Sequence, residues 1–150
     1  MNINVLGAGT WGIALSSLLS KNDHSVTVWM RDNNKLKDLS KNRIYSKLNN
    51  YQIPNNITFT SNLNEINLQN LTIIAVPSHS IAEILDNINL SNGRFLIASK
   101  GFDLHTSYLP SELLNNIFNI NLNNIAILSG PNHAEEIVLS KATATVVASV

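Results

Sequence analysis

Three glycines near the start of the chain, Gly7, Gly9 and Gly12 in "VLGAGTWGIAL", have the spacing G-x-G-x-x-G. A short apolar run with Ile3, Val5 and Leu6 leads into them, and apolar residues at helical spacing lead away. In that setting the spacing has a chemical meaning. Gly7 permits a tight turn, Gly9 offers no side chain to obstruct a pyrophosphate, and Gly12 lets a helix lie close to the strand. The free amides of the first helical turn then face a dinucleotide's phosphates. Thr10 and Trp11, between the glycines, add a hydroxyl or backbone amides and a large flat surface.

The end of the second apolar strand bears on which dinucleotide is bound. Sites that select NAD usually carry an acidic residue there, about 20 residues beyond the first glycine, to hold the ribose 2′-hydroxyl. In "VTVWMRD" that place is taken by Met30 and Arg31. A methionine does not repel a 2′-phosphate and a planar guanidinium grips one, which favours NADP, or tolerance of both NAD and NADP. The plainer alternative is a solvated turn arginine paired with Asp32.

Three more polar clusters follow later apolar runs: Pro77-Ser78-His79 after "LTIIAV", Lys100-Gly101 after "RFLIAS", and Gly130 to Ala134, "GPNHA", after "IAILS". The Lys100 ammonium suits a substrate phosphate, or the oxyanion that forms as a hydride reaches a carbonyl; a surface lysine laying its stem on apolar neighbours is the ordinary alternative. Gly130-Pro131 reads either as a turn into a helix, with Pro131 at its first position and Glu135 and Glu136 in its first turn, or as an anion site at that helix's N-terminus. His24 and His105 read as loop residues, and His79 and His133 are better placed but have no partner. No histidine pair has metal-ligand spacing, so no metal is expected.

The elements that must position these residues follow from hydrophobic period. After the first strand, residues 11–19 read as a helix with Ala14, Leu15, Leu18 and Leu19 on one side; "HSVTVWM" is a second strand, and residues 33–40 a polar helix. Residues 41–53 keep no period and read as a loop closed by Pro54, before a short edge strand "ITFTSN". "LTIIAV" is apolar enough to be a strand buried on both faces. A helix over 81–88, the strand "RFLIAS", a weaker helix over 111–117, the strand "IAILS", a helix over 131–139 and the run "ATVVASV" complete the chain. Such alternation predicts an α/β fold of Rossmann type, a doubly wound and mainly parallel sheet with helices on both faces. Its ligands gather outside the carboxyl ends of the strands, the edge on which all four clusters fall.

Composition narrows the partners. The chain of 150 residues suits one domain. Only 13% is charged, against about 25% in ordinary domains, and 24 asparagines keep the loops and exposed faces polar instead. A net charge of zero without a basic stripe argues against a nucleic-acid partner. The absence of cysteine removes disulfides and thiolate metal sites. The opening residues have no basic n-region and no bilayer-length apolar run, so the expectation is a cytoplasmic protein with no membrane insertion. The last residues, up to Val150, stop within an apolar, β-branched run, which raises the expectation that these 150 residues are part of a longer protein.

The stretches "GAGTWGIALSSLL", "VTVWMRD", "AVPSHSI", "SKGFD", "LSGPNHAEEI" and "ATATVVAS" together resemble the cofactor domain of the bacterial NAD(P)-dependent glycerol-3-phosphate dehydrogenases, in the family's order and over nearly the whole chain. The resemblance implies reversible reduction of dihydroxyacetone phosphate to sn-glycerol 3-phosphate, a phospholipid precursor. Position by position it implies that Thr10, Trp11 and Arg31 contact the cofactor, that Lys100 contacts cofactor and substrate, that Gly130 and Asn132 lie at the substrate, and that Ala134 touches the cofactor. Asn132 departs from the family's small hydroxyl residue, and "NNYQIPNN" departs from its Leu-Pro-Gly turn. The family's general-acid lysine, an Arg-Asn pair for the substrate phosphate and most dimer contacts belong to a helical C-terminal domain. No catalytic acid is therefore expected within residues 1–150; that lysine is expected beyond Val150, and a homodimer is expected of the whole protein. The alternatives are a dinucleotide-binding module without catalysis and a related reductase of another small substrate, such as the ketopantoate reductases.

Overall fold

The computed structural model describes residues 1–90 and 93–150. Its chain begins with β1 (Asn2–Leu6), α1 (Thr10–Lys21), β2 (Ser25–Trp29) and α2 (Asn33–Asn42), continues through β3 (Ile44–Tyr45), β4 (Tyr51–Gln52) and β5 (Ile57–Thr60), and then forms β6 (Leu71–Ile74) and α3 (Ile81–Leu85). The remainder comprises β7 (Arg94–Ile97), α4 (Pro110–Asn116), β8 (Ile125–Ser129), α5 (Ala134–Val138) and β9 (Val146–Ser149).

Seven strands form one sheet in the order β5-β2-β1-β6-β7-β8-β9. Pairing is parallel from β5 through to β8, and β9 alone runs antiparallel, against β8. The order carries the function. The chain winds outward from β1 through β2 to β5, then crosses back to place β6 on the other side of β1, so the direction of winding reverses between β1 and β6. A crevice forms above such a switch point because the helices leave in opposite directions from neighbouring strands.

Val5, Leu6, Val28 and Ile74 are fully buried, as strands covered on both faces require. One core cluster joins Ile3, Val5, Val26, Val28 and Ile73 to the apolar residues of α1 and α5; the other joins Leu6, Ile74, Phe95 and Ile97 to α3 and α4. The buried face of α1 differs from the expectation. Leu18 is 41% exposed, whereas Ile13, Ser16, Ser17 and Ser20 are buried with Ala14 and Leu15. The helix is packed between the sheet and α5, and small side chains permit that approach. The buried hydroxyl of Ser16 donates to the Gly12 carbonyl (2.7 Å). A hydrophobic pattern does not register serine as core.

Two further stretches differ, and the last run takes a place that its apolar character does not show. The last helix does not span 131–139. The chain turns at Gly130, where Asn132 N donates to Gly130 O (2.9 Å), and α5 starts only after His133, so Pro131 lies in the turn rather than at the first helical position, while Glu135 and Glu136 do occupy the first turn. The stretch 41–53 is not a plain loop. β3 and β4 pair as a minimal antiparallel hairpin, and Tyr45, Leu48 and Ile53 are buried in the core. Two-residue strands are too short to show a period. The apolar run that ends at Val150 is not core: β9 pairs with β8 as an edge strand, its residues are exposed, and Val150 itself is 86% exposed.

Candidate cofactor site and substrate edge

The glycine loop is hung between two strands. Gly7 N donates to Trp29 O on the β2 side (3.0 Å), and Ala75 N donates to Leu6 O on the β6 side (2.9 Å). Gly7 has φ of +116°, and a Cβ there would stand 2.7 Å from the Ala75 carbonyl oxygen. A Cβ on Gly12 would stand 1.9 Å from Gly7 O. These two glycines are therefore demanded by the fold itself. Gly9 is different: a Cβ there would meet nothing within 4 Å. The space above Gly9 is open, as a pyrophosphate lying across the loop requires.

Gly9 is also the N-cap of α1, so no side chain caps the helix, and its first turn holds no acidic residue. The amides of that turn have no intrahelical acceptor, and the helix dipole adds partial positive charge where they point. Trp11 Nε1, in the same turn, is a buried donor with no partner among the described residues. Beside the loop lies a cavity of about 290 Å³, walled by Gly7 to Gly9, by Met30, Arg31 and Asp32 beyond β2, and by the residues that follow β6. An unobstructed loop, uncapped amides and an adjoining apolar cavity fit a dinucleotide.

Arg31 borders this cavity but does not pair with Asp32. It is exposed and makes an ion pair with Glu83 of α3 (2.9 Å), while the Asp32 carboxylate caps α2 by accepting from Asn34 N (2.9 Å) and Lys35 N (3.1 Å). Two residues that no sequence motif singles out complete the cradle. The Lys35 ammonium donates to the Ala8 carbonyl (2.7 Å) and to the Tyr45 hydroxyl (3.3 Å), and that hydroxyl itself donates to Ala8 O (2.9 Å). Burial, then the charge of Lys47, holds the Lys35 pKa below its ordinary value, with Asp32 opposing; burial pushes the Tyr45 phenol up. The only signal for Lys35 in the sequence is its place four residues after Arg31. Tyr45 had none, because its neighbourhood lacks a period.

The strand ends on the other side of the switch point are tied sideways. The Ser99 hydroxyl donates to the Ile74 carbonyl (3.1 Å), and the Ser78 hydroxyl donates to Phe102 O (2.8 Å). Lys100 stands exposed between them. Behind it, the buried Asp103 carboxylate accepts from Thr106 N (2.8 Å), the Thr106 hydroxyl (2.8 Å) and His105 N (3.1 Å). The bonds from Thr106, backbone first, hold the Asp103 carboxyl below the usual carboxylate range.

Beyond β8, the Asn132 amide is already engaged. Its Nδ2 donates to the Thr145 hydroxyl (2.8 Å), and its Oδ1 accepts from the Thr143 hydroxyl (2.6 Å). Ala134 is buried in the same core cluster as Ala8 and Ile13, so its backbone is what it can offer a ligand. The strand ends thus bring Gly7 to Gly12, Arg31, Lys100 and Gly130 to one edge of the sheet, although Lys100, Gly130 and Asn132 do not line the cavity beside the loop. Among the described residues no group of acidic or histidine side chains could hold a metal ion, and no helix is long and apolar enough to cross a membrane.

Sheet order, switch point and uncapped glycine loop define a dinucleotide-binding Rossmann domain. The family model described as the N-terminus of NAD-dependent glycerol-3-phosphate dehydrogenase matches residues 2–150. The chain is 35% identical to a glycerol-3-phosphate dehydrogenase [NAD(P)+] of Thermoanaerobacter sp. (strain X514), covering 99% of this chain and 46% of that protein. It is 38% identical to the one from Brachyspira hyodysenteriae, over 98% and 45% of the two chains. A crystal structure of glycerol-3-phosphate dehydrogenase from Coxiella burnetii superposes with a TM-score of 0.85 at 25% identity, over 97% of this chain and 46% of the other. The chain belongs to the N-terminal domain family of the NAD(P)-dependent glycerol-3-phosphate dehydrogenases. It spans about half the length of the curated relatives it matches.

Proposed function

We propose that this chain is the cofactor-holding part of an enzyme that reversibly reduces dihydroxyacetone phosphate to sn-glycerol 3-phosphate with NADPH or NADH. The observation that carries the reading is the glycine loop, in which Gly7 and Gly12 have no room for a side chain and Gly9 leaves the uncapped start of α1 open. The bound dihydronicotinamide supplies the hydride. Thr10, Trp11 and the first-turn amides hold the pyrophosphate side, and the backbone of Ala134 borders the cofactor. Lys100, exposed on the same edge, stabilises the negative charge that develops on the substrate oxygen. Gly130 lies at the substrate, and Asn132 reaches it by releasing one of its two threonine partners.

The proton for the new alkoxide comes from a lysine beyond Val150, in the half of the relatives' length that this chain does not span. NADP is the preferred cofactor, with Arg31 turning from Glu83 to a 2′-phosphate. The whole protein acts in the cytoplasm as a homodimer, which sedimentation and cell fractionation would check. The main test is NADPH and NADH oxidation by the complete protein with dihydroxyacetone phosphate, beside fluorescence titration of both cofactors onto this chain. Turnover by the complete protein, and binding without turnover by residues 1–150, with NADPH the tighter, are the expected results. A complete protein that leaves NADPH and NADH unoxidised in the presence of this substrate removes the proposal. Turnover by residues 1–150 alone would remove the lysine beyond Val150 from it.

A further inference from the structure

Charge is unevenly matched around the cavity beside the glycine loop. Arg31–Glu83 is the one ion pair among the described residues, and the Asp32 carboxylate is occupied with the amides of α2. Lys35 lines the same cavity with no carboxylate in ion-pair reach. An ammonium has three donors. Two are directed to Ala8 O and Tyr45 Oη, which leaves one for a ligand.

The tether matters as much as the charge. Lysine is a flexible point charge whose ordering is costly when a ligand must impose it. Here the Lys35 ammonium is already held at the loop, over the Tyr45 ring (4.9 Å to the ring centre). Its position is on the wall shared with Met30, Arg31 and Asp32 at the end of β2, where Rossmann domains meet the adenosine ribose. The pyrophosphate belongs instead to the amides of α1, beyond Gly9.

We propose that Lys35 is a specificity-determining residue for the cofactor, its tethered ammonium donating to the 2′-phosphate of NADP together with Arg31. The proposal rests on the reading of this chain as a dinucleotide-binding domain. Partial burial and the neighbouring Lys47, which lower the lysine's pKa, fit a cation short of a counter-charge. Arg31 already carries the counter-charge of Glu83, which Lys35 lacks.

The test is fluorescence titration of NADPH and NADH onto the chain and onto its Lys35→Met and Lys35→Arg variants, at low and high salt. In Lys35→Met the NADPH dissociation constant rises about tenfold while that for NADH stays within about twofold, as loss of one charge-assisted contact requires. The salt dependence of NADPH binding becomes shallower in that variant, which a bracing role would not produce. Lys35→Arg keeps the NADPH preference. Equal weakening for both cofactors in Lys35→Met overturns the proposal and makes Lys35 a brace for the Ala8 carbonyl; no change for either also overturns it. A wild-type chain that binds neither cofactor removes the dinucleotide reading itself. Thermal unfolding of each variant separates loss of binding from loss of fold.

Discussion

The two sides of the switch point are built differently. Around β1 and β2 the cradle is made by backbone and by buried contacts: Gly7 and Gly12 close against carbonyl oxygens, and Ala8 O takes bonds from Lys35 and Tyr45. Beyond β7 and β8 the candidate substrate residues stand on an open edge. Lys100 is exposed there, with Phe102 at 60%, Leu104 at 77% and Val146 at 65% exposure. The first region is shaped for a ligand by what has been left out of the chain; the second presents side chains to whatever lies over them. A backbone cradle is complete once its strands and helix are formed, whereas a side-chain site depends on its surroundings for orientation and desolvation.

That contrast can be broken in four places. Gly12→Ala has the largest expected effect, because its Cβ would lie 1.9 Å from a backbone oxygen that is fixed in the sheet-to-helix turn. A stability loss of about 3 kcal/mol is expected in urea unfolding, and an unchanged midpoint would show that the loop is looser than described. Lys100→Met, on the open edge, should leave thermal unfolding unaltered yet lower turnover of the complete protein about 100-fold. Destabilisation without a kinetic defect would make Lys100 a surface lysine.

Gly9→Ala lies between the two. Its Cβ meets no protein atom, so stability should fall by less than about 1 kcal/mol, the scale of an altered N-cap. Affinity for NADH, read by fluorescence, should nevertheless fall about tenfold. If both glycines lower stability alike, the distinction between a glycine the fold needs and one the ligand needs is lost.

The smallest effect is expected at Asp103. Its folded-state pKa is depressed by the Thr106 and His105 bonds, so its contribution to stability is present above the ordinary carboxylate range and lost as pH falls through the folded value. Asp103→Asn should lower the midpoint modestly at pH 7 and flatten the acid limb of the stability profile. A variant profile parallel to that of the natural chain down to strongly acid pH would remove this role.

Much of the architecture was legible because the signals were local. A glycine spacing after an apolar run, apolar strands alternating with helical spacing, and polar clusters at strand ends are each read within about ten residues, and they anticipated the sheet, the loop and the edge that carries Lys100 and Gly130. The polar face of α1 escaped because Ser16, Ser17 and Ser20 are core only by virtue of what the fold packs on that helix: α1 meets the sheet and α5, and Ser20 meets Asn56. The hairpin of β3 and β4 escaped because its two-residue strands leave no period, although Tyr45 from that hairpin reaches the glycine loop. The resemblance puts Asn132 at the substrate, and no local spacing shows that Thr143 and Thr145 fold back onto its amide.

By itself the sequence determined that a dinucleotide should lie on a strand-to-helix turn, since only absent side chains at Gly7, Gly9 and Gly12 make that turn both possible and accessible. Tertiary structure decided which glycine leaves open space above the loop, which acid Arg31 meets, and that Lys35 reaches the Ala8 carbonyl at all. Those outcomes depend on atoms far apart in the chain, as with Arg31 and Glu83 or Ala8 and Tyr45. Such meetings are set by how the sheet winds and by what the core must bury, and no local spacing encodes them.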